Sequence, residues 1–154
     1  MAVRIVPVSN DDPRLRDILR VHKTFSVANT PGGGGHALAA DADLTGLRYW
    51  IAVEDDSDIA LGGIGFQLVE PGHGEVKSMH VREHARGMGL GARLVQTLLD
   101  TARAEGCSRV SLETHLGDGF AASRRLYARC GFEPCESFGP YSDDPASFCM
   151  TQEL

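Results

Sequence analysis

Three glycines at alternate positions, Gly87, Gly89 and Gly91, stand between a strand pattern and a helix pattern. Residues 74–81 before them alternate as a strand does, and residues 90–102 after them repeat apolar side chains at helical spacing. Glycines at such a junction let successive backbone N–H groups face outward, and a helix N-terminus adds partial positive charge. The sequence therefore predicts an anion cradle suited to a pyrophosphate, with a glycine-rich turn beside a solvated basic face as the other interpretation.

The charge balance around this junction differs from that of the whole chain. The 154 residues carry a net charge of −6, which argues against a nucleic-acid partner. Residues 76–93, in contrast, hold one acidic side chain and four basic ones: Glu83 against Lys77, Arg82, Arg86 and Arg93. This local excess of positive charge favours the cradle.

The glycine segment matches neither the P-loop nor the dinucleotide-binding motif well. A P-loop needs Lys after its last glycine, and none follows here. Residues 87–92 match the dinucleotide fingerprint G-x-G-x-x-[GA], with Glu113 near the position of a ribose-binding acid. That fingerprint follows its strand directly, whereas residues 82–86 intervene here, and the dinucleotide fold needs several βαβ units where the chain offers one.

The order of elements predicts a mixed α/β fold of the α+β kind. A chain of 154 residues suits one domain spanning 1–154 and is too short for a TIM barrel of about 250 residues. We predict a central, mostly antiparallel sheet of six to seven strands, one βαβ unit and about four helices. Predicted strands cover 3–8, 49–54, 59–70, 74–81, 109–114 and one or two segments of the tail; predicted helices cover 13–28 after an Asp12 cap, 40–47, about sixteen residues from Leu90, and a last segment ending at Gly131.

Two features of this pattern point to a site. The apolar phase of strand 74–81 starts at Val76 and then moves to Met79 and Val81, which indicates either a β-bulge or one imperfect face. The run Pro31 to Gly35 is either a flexible connector or a lid over a site.

Other signals in the sequence are negative. The four cysteines have irregular spacing, which favours reduced thiols over a disulfide framework, and the histidines form no metal-binding pair, so no metal is expected. No secretory signal and no apolar run near the roughly 18 residues of a membrane span is visible. We expect a cytoplasmic protein with no nucleic-acid or membrane partner, and we leave open whether it forms a homodimer.

Two segments of the chain resemble one known family. EVKSMHVREHARGMGLGA (75–92) resembles the acetyl-CoA-binding motif [RQ]-x-x-G-x-[GA] of the GCN5-related N-acetyltransferase (GNAT) superfamily, with Arg86, Gly89 and Gly91 at its three defining positions. SRRLYARCGF (123–132) is similar to the family's later helix, which ends L-Y-x-x-x-G-F. The stretch 137–141 looks like that of a subgroup of small, uncharacterised bacterial members. The resemblance implies the GNAT-like acyl-CoA N-acyltransferase fold.

The resemblance also implies an activity and a binding site. The chain would transfer an acetyl group from the co-substrate acetyl-CoA to a primary amine of a small molecule or peptide, by direct attack in a ternary complex. The residues expected to contact acetyl-CoA are Met79, His80, Val81, Arg86, Gly87, Met88, Gly89, Leu90, Gly91, Ala92 and Ser123. For His80, a buried structural role is the other interpretation.

Catalytic roles follow from the same resemblance. A backbone N–H turned outward by the bulge would stabilise the oxyanion. Glu75 is the first candidate for the general base, through water, and Glu113 is the alternative. Tyr127 would protonate the departing thiolate. The competing interpretations are a surface charge for Glu75 and a packing role for Tyr127.

Three points stay open on the sequence alone. Phe120 stands where family members often carry Asn, which puts a polar contact to the cofactor in doubt. The acid-rich segments 41–75 and 133–154 either line a cleft that favours a cationic acceptor or form solvated surface. The alternatives to an enzyme of this family are a non-catalytic acyl-CoA-binding or regulatory module on the same fold and a nicotinamide-binding oxidoreductase.

Overall fold

A computed structural model describes residues 2–33 and 35–154 of the chain. Seven strands form one sheet in the order β1-β2-β3-β4-β5-β7-β6, and every neighbouring pair is antiparallel except β4 and β5. The elements are β1 Val3–Val8, α1 Pro13–Asn29, β2 Arg48–Glu54, β3 Ala60–Glu70, β4 His73–Val81, α2 Leu90–Ala104, β5 Arg109–His115, α3 Ala121–Arg129, β6 Glu133–Pro134 and β7 Ser147–Glu153. The predicted mixed sheet with one βαβ unit, β4-α2-β5, is confirmed.

Helices cover both faces of the sheet because both faces are apolar over β2 and β3. On one face, Leu15, Ile18 and Leu19 of α1 pack into a cluster with alternate side chains of β2, such as Ile51. On the opposite face, α2 contributes its buried leucines to a second cluster that also contains Tyr127 of α3. The sheet itself separates the two clusters, and β4 is its central strand.

Local signals place the helix ends where the sequence predicts them. The Asp12 carboxylate accepts a hydrogen bond from the Arg14 backbone N–H, and Pro13 occupies the first helical position. At the end of α3, Gly131 adopts a left-handed φ of 102°, and the Phe132 N–H returns to the Tyr127 carbonyl at 3.0 Å.

The predicted helix over 40–47 is wrong, because this segment folds into turns. The Asn10 amide donates to the carbonyls of Leu44 and Leu47, and the Asp43 carboxylate accepts from the Thr45 backbone N–H. Such side-chain bonds compete with the helical backbone ladder. The described residues therefore contain three α-helices, together with short 3₁₀ turns, where about four helices were predicted.

The centre of the sheet is split. β4 pairs with β5 only over His73–Val76, and both strands then run on without pairing with each other. The register against β3 passes from Gly65↔Lys77 to Gly63↔His80, so β4 holds one extra residue in this interval. Ser78 in the interval has a φ of 52°. The β-bulge predicted from the phase shift is therefore confirmed, and it lies beside the split.

The left-handed conformation of Ser78 gives the first prediction. Ser78→Val should lower the free energy of unfolding by about 1–2 kcal/mol, because a β-branched residue tolerates positive φ poorly. Ser78→Gly at the same position should keep stability within about 0.5 kcal/mol of the parent. Urea unfolding of the two variants measures the difference. Equal losses for Val and Gly would show that the bulge does not constrain the backbone as described.

Candidate functional site

A wide cleft of about 570 Å³ occupies the split between β4 and β5. Its wall combines the bulged half of β4, the glycine segment, the first turn of α2 and one side of α3. Ten of the eleven predicted cofactor-binding residues line it: Met79, His80, Val81, Arg86, Gly87, Gly89, Leu90, Gly91, Ala92 and Ser123. Met88, the eleventh, is not among the lining residues and is an exposed side chain.

The glycine segment presents bare backbone to the wide cleft. Gly87 and Gly89 have left-handed φ values of 84° and 78°, and a Cβ built on either would meet no atom within 4 Å. Gly89 caps α2 without a side-chain hydrogen bond, so the first-turn N–H groups stay available. Gly91 has a different function, since a Cβ there would lie 2.7 Å from Leu126 Cδ2. It allows α2 and α3 to approach each other.

The basic side chains near the cleft differ from the predicted set. Arg86 lines the cleft, where its Nε donates to the Val81 carbonyl at 3.1 Å. Arg82 instead binds Asp17 at 2.5 Å, and Arg93 reaches back to the Val3 carbonyl. Arg129 of α3 lines the cleft and was missed by the sequence argument. The positive region predicted from residues 76–93 is thus dispersed, and one arginine from a distant helix contributes to the cleft.

A side pocket of about 70 Å³ adjoins the wide cleft on the face covered by α1. The two cavities share five lining residues, Val76, Ser78, Glu113, Phe120 and His22. The remaining wall of the side pocket is mostly polar: Ser26, Thr30, Gly35, His36, Ala37, Lys77, His115 and Tyr141. Glu113 is the carboxylate that faces both cavities.

Glu113 and Glu75 have opposite surroundings. Burial raises the pKa of Glu113 to about 7, although the Ser147 hydroxyl donates to its Oε1 at 3.2 Å. Glu75 is also buried, but the Tyr141 hydroxyl donates to its Oε2 at 2.5 Å and the Gln67 amide to its Oε1 at 2.9 Å. Glu75 lines neither cavity. It holds the tail segment around Tyr141 onto the sheet, and its interpretation as a surface charge is wrong.

Tyr127 is buried on α3 and lines the wide cleft. Its ring packs edge-on against Phe132 at a centroid distance of 5.9 Å. Burial raises the pKa of this phenol well above its ordinary value, so the hydroxyl keeps its proton at neutral pH. The side chain therefore packs in the core, keeps its hydroxyl protonated and forms part of the cleft wall.

A histidine pair joins α1 to the bulged strand. His22 Nδ1 and His80 Nδ1 lie 3.0 Å apart, so one ring donates and the other accepts. Burial lowers the pKa of His22 to about 3 and that of His80 to about 4, which keeps both rings neutral. His80 is thus buried and hydrogen-bonded, as the structural interpretation requires, and it also lines the cleft. His22 was missed, because a histidine on a helix face carries no motif.

Phe120 gives an apolar wall where the family pattern often has a polar group. Its ring packs against Phe25 at 5.5 Å and against His115 at 5.2 Å. The Phe120 side chain lines both cavities. The cleft therefore obtains no polar contact from this position.

The segment that follows the glycine run walls the side pocket. His36 Nε2 lies 3.1 Å from Asp144 Oδ2, and Lys23 Nζ donates to the Ala37 carbonyl at 2.9 Å. These contacts join the loop to the tail and to α1. Gly34 of the proposed lid lies outside the described residues, and the lid over Gly32–Gly35 stays a prediction.

The described residues contain neither a metal-ligand cluster nor a helix that could cross a membrane. No three His, Cys, Asp or Glu side chains group as metal ligands would. Each described helix is too short or too polar to cross a bilayer.

Comparison with protein families gives one match that spans most of the chain. The model of the Acetyltransferase (GNAT) family matches residues 18–132. An uncharacterised N-acetyltransferase of Escherichia coli, YedL, is 31% identical over 156 aligned positions that cover 96% of this chain and 94% of its own. Another from Bacillus subtilis, YsnE, is 33% identical over 108 positions, 70% of each chain.

Solved structures share the whole fold. A Klebsiella pneumoniae protein described as an acyl-CoA N-acyltransferase superposes with a TM-score of 0.83 at 23% identity, over 99% of this chain and 97% of its own. PaiA N-acetyltransferase of Thermoplasma acidophilum, solved in complex with coenzyme A, superposes with a TM-score of 0.75 at 14% identity over both full chains. At these identities the likeness shows the fold, which is that of the acyl-CoA N-acyltransferases.

The raised pKa of Glu113 gives a prediction about stability. Between the ordinary value of 4.5 and about 7, the folded protein holds a proton that the unfolded chain has lost. The unfolding free energy should therefore fall as pH rises through this window and level off above it. The Glu113→Gln variant lacks the titrating carboxyl, so its unfolding free energy should not fall in this window. The difference in unfolding free energy between the variant and the parent should therefore shift in favour of the variant by about 1–3 kcal/mol from pH 5 to pH 8.

Urea unfolding at both pH values measures this difference. Glu133→Gln, at an exposed carboxylate of β6, serves as the control and should show no such trend. A Glu113→Gln variant whose stability relative to the parent does not change with pH would contradict the assigned environment.

Proposed function

The chain belongs to the acetyltransferase (GNAT) family, and we propose that it transfers an acetyl group from acetyl-CoA to a primary amine by direct attack in a ternary complex. The observation that carries the proposal is the wide cleft at the split between β4 and β5. It brings the glycine segment, the unpaired edge of β4 and Tyr127 to one surface. The coenzyme A bound to a structural neighbour supports the choice of cofactor.

The residues present fit acetyl-CoA along the whole cleft. The free N–H groups at Gly87, Gly89 and the first turn of α2 would hold the pyrophosphate, because a helix N-terminus favours an anion. Arg86 and Arg129 would add positive charge. When bound, acetyl-CoA supplies an activated acetyl group as a thioester.

The edge of β4 explains how the pantetheine arm would be held. Beyond Val76, the side of β4 that faces β5 has no strand partner, although it keeps its pairing with β3 at His80 and Val81. An extended ligand can add to such an edge as a strand does. A backbone N–H of the bulge around Ser78 and Met79 would then stabilise the negative charge that develops on the thioester oxygen, an effect commonly worth about 3–4 kcal/mol.

Glu113 is the better placed of the two candidate bases. It faces both cavities, and its raised pKa of about 7 suits proton abstraction near neutral pH. Glu75 is already bound by Tyr141 and Gln67 and contacts neither cavity. We therefore propose that Glu113, the alternative candidate from the sequence, is the general base and that Glu75 has a structural role.

In the proposed reaction Glu113 accepts one proton and Tyr127 donates one. The amine loses one proton to Glu113 as its nitrogen forms the new C–N bond, and the C–S bond breaks. Tyr127 supplies a proton to the sulfur, which its raised pKa keeps available. The products are an amide and a free thiol, and both side chains regain their starting states through solvent.

Binding at the glycine segment can be tested with Gly89→Glu. The new side chain and its negative charge would occupy the space of the pyrophosphate, so acetyl-CoA should no longer raise the melting temperature. Gly106→Glu is a matched control, because Gly106 also has a left-handed φ and open space around its Cβ but lies at the other end of α2. Both variants carry the same backbone strain, and only Gly89→Glu should lose acetyl-CoA. Equal binding by the two would place the phosphate site elsewhere.

The catalytic roles can be tested by thiol release with a panel of amines. Glu113→Gln and Tyr127→Phe should each lower kcat by about 10²–10⁴-fold while acetyl-CoA binding is retained. Glu75→Gln should lower stability but leave kcat within a few fold. Loss of activity in Glu75→Gln with full activity in Glu113→Gln would reverse the assignment. Acetyl-CoA binding without turnover of any amine would favour the non-catalytic module.

A further inference from the structure

The inward face of α1 changes from apolar to polar along its length. In the first half of the helix this face packs in the core, where Ile18 is fully buried. His22 and Ser26 follow at the four-residue spacing of one helix face, and Thr30 caps the helix end. All three polar residues line the side pocket. The helix therefore gives this pocket a polar wall that the proposed chemistry does not use.

Ser26 is the most enclosed of these polar residues, with 6% exposure. Its hydroxyl has no hydrogen-bond partner within residues 2–33 and 35–154, yet it is not among the side-chain polar atoms that are shut off from solvent. In contrast, the exposed Thr24 of the same helix donates its hydroxyl to the Arg20 carbonyl at 3.0 Å. The accessible part of Ser26 therefore includes a free hydroxyl, and it opens into the side pocket that this residue lines.

His22 adds a second uncharged group to the same wall. Its Nδ1 is bound to His80, so Nε2 is the ring nitrogen that remains for the cavities. Nε2 has no partner in the described part of the chain and is likewise not shut off from solvent. A neutral imidazole nitrogen donates or accepts according to its tautomer, and a hydroxyl does both. His22 and Ser26 together offer uncharged hydrogen bonding one helical turn apart.

The charged groups of the side pocket are already paired within the protein. Lys77 Nζ donates to the Tyr141 hydroxyl at 3.0 Å and lies 3.7 Å from the Glu75 carboxylate. His36 Nε2 lies 3.1 Å from Asp144 Oδ2. Apart from the proposed general base, the described wall therefore holds no unpaired charge for an ionised substituent to contact.

The size and the entrance of the side pocket set further limits on its ligand. Its volume of about 70 Å³ holds on the order of five water-sized groups, which is too little for a peptide chain. Val76 and Phe120 give an apolar surface where the pocket meets the wide cleft. A short carbon segment that ends in one polar group fits this sequence of surfaces.

On the basis of the proposed function, we propose that the acetyl acceptor is a small primary amine with one uncharged polar substituent, a hydroxyl or a carboxamide, that hydrogen-bonds to Ser26 in the side pocket. Its amine would lie at Glu113, where the two cavities meet and the acetyl group arrives from the wide cleft. The intervening carbons would contact Val76 and Phe120, and His22 would form the second hydrogen bond of the substituent.

The first experiment compares small amines of similar size with the unmodified protein, by thiol release at saturating acetyl-CoA. Ethanolamine and glycinamide carry the uncharged polar group, whereas propylamine, glycine and ethylenediamine carry a methyl, a carboxylate and a second amine in its place. The better of the two uncharged polar amines should have a kcat/KM at least about threefold above each of the other three, because a neutral hydrogen bond contributes that much. An equal or higher kcat/KM for any of those three overturns the proposal.

The second experiment separates a binding role of Ser26 from a structural one. Ser26→Ala removes the hydroxyl and should lower the kcat/KM ratio of the better polar amine to propylamine about 3–10-fold, while the KM for propylamine stays the same. Each amine ionises identically in the parent and variant assays, so the change in this ratio reports the hydroxyl contact alone. Ser26→Thr should recover part of the ratio. Thr24→Ala, at an exposed hydroxyl of α1 that lines neither cavity, is the control and should leave the ratio unchanged.

A thermal-shift measurement with acetyl-CoA distinguishes the two levels of failure. If acetyl-CoA stabilises the protein and another class of amine is acetylated instead, the acceptor proposal fails and the proposed function stands. If acetyl-CoA does not bind, or binds without turnover of any amine, the proposed function fails and the acceptor proposal fails with it. An unchanged ratio in a folded Ser26→Ala variant also overturns the role of Ser26.

Discussion

The interrupted pairing between β4 and β5 is the constraint on which the rest of the structure depends. Four residue pairs hold the two strands together, and beyond Val76 and Leu112 the hydrogen-bonding edges face a gap. Backbone N–H and C=O groups that are removed from water require partners. A sheet that leaves such groups open at its centre needs a ligand or solvent there, and the bulge at Ser78 and Met79 lies on β4 beside this gap.

Glu75 and Glu113, the two carboxylates near the gap between β4 and β5, differ in their surroundings. Glu75 receives two hydrogen bonds and lies 3.7 Å from Lys77, so its charge is offset inside the protein. Glu113 receives one hydrogen bond from Ser147 and keeps a raised pKa. The tail around Tyr141 satisfies the first carboxylate, whereas the second lines both cavities.

Local patterns predicted most of the elements, including the strand-to-helix junction at the glycine segment. The Asp12 cap, the glycine ends of α2 and α3 and the phase shift of β4 all depend on near neighbours in sequence, and the structure confirms them. The helix expected over 40–47 failed because Asn10, more than thirty residues away, binds its carbonyls. Our proposal of Glu113 rather than Glu75 as the base likewise rests on Tyr141, whose contact with Glu75 no spacing rule could reveal.

Hydrogen–deuterium exchange with saturating coenzyme A tests the central claim most directly, namely that the open edge of β4 is the strand-pairing partner of the cofactor. The account predicts slower exchange of backbone amides in two segments, residues 77–81 of β4 and residues 87–92 at the start of α2. Exchange in β1 and β2, at the far edge of the sheet, should not change. Slower exchange elsewhere, with residues 77–81 unaffected by bound coenzyme A, would contradict it.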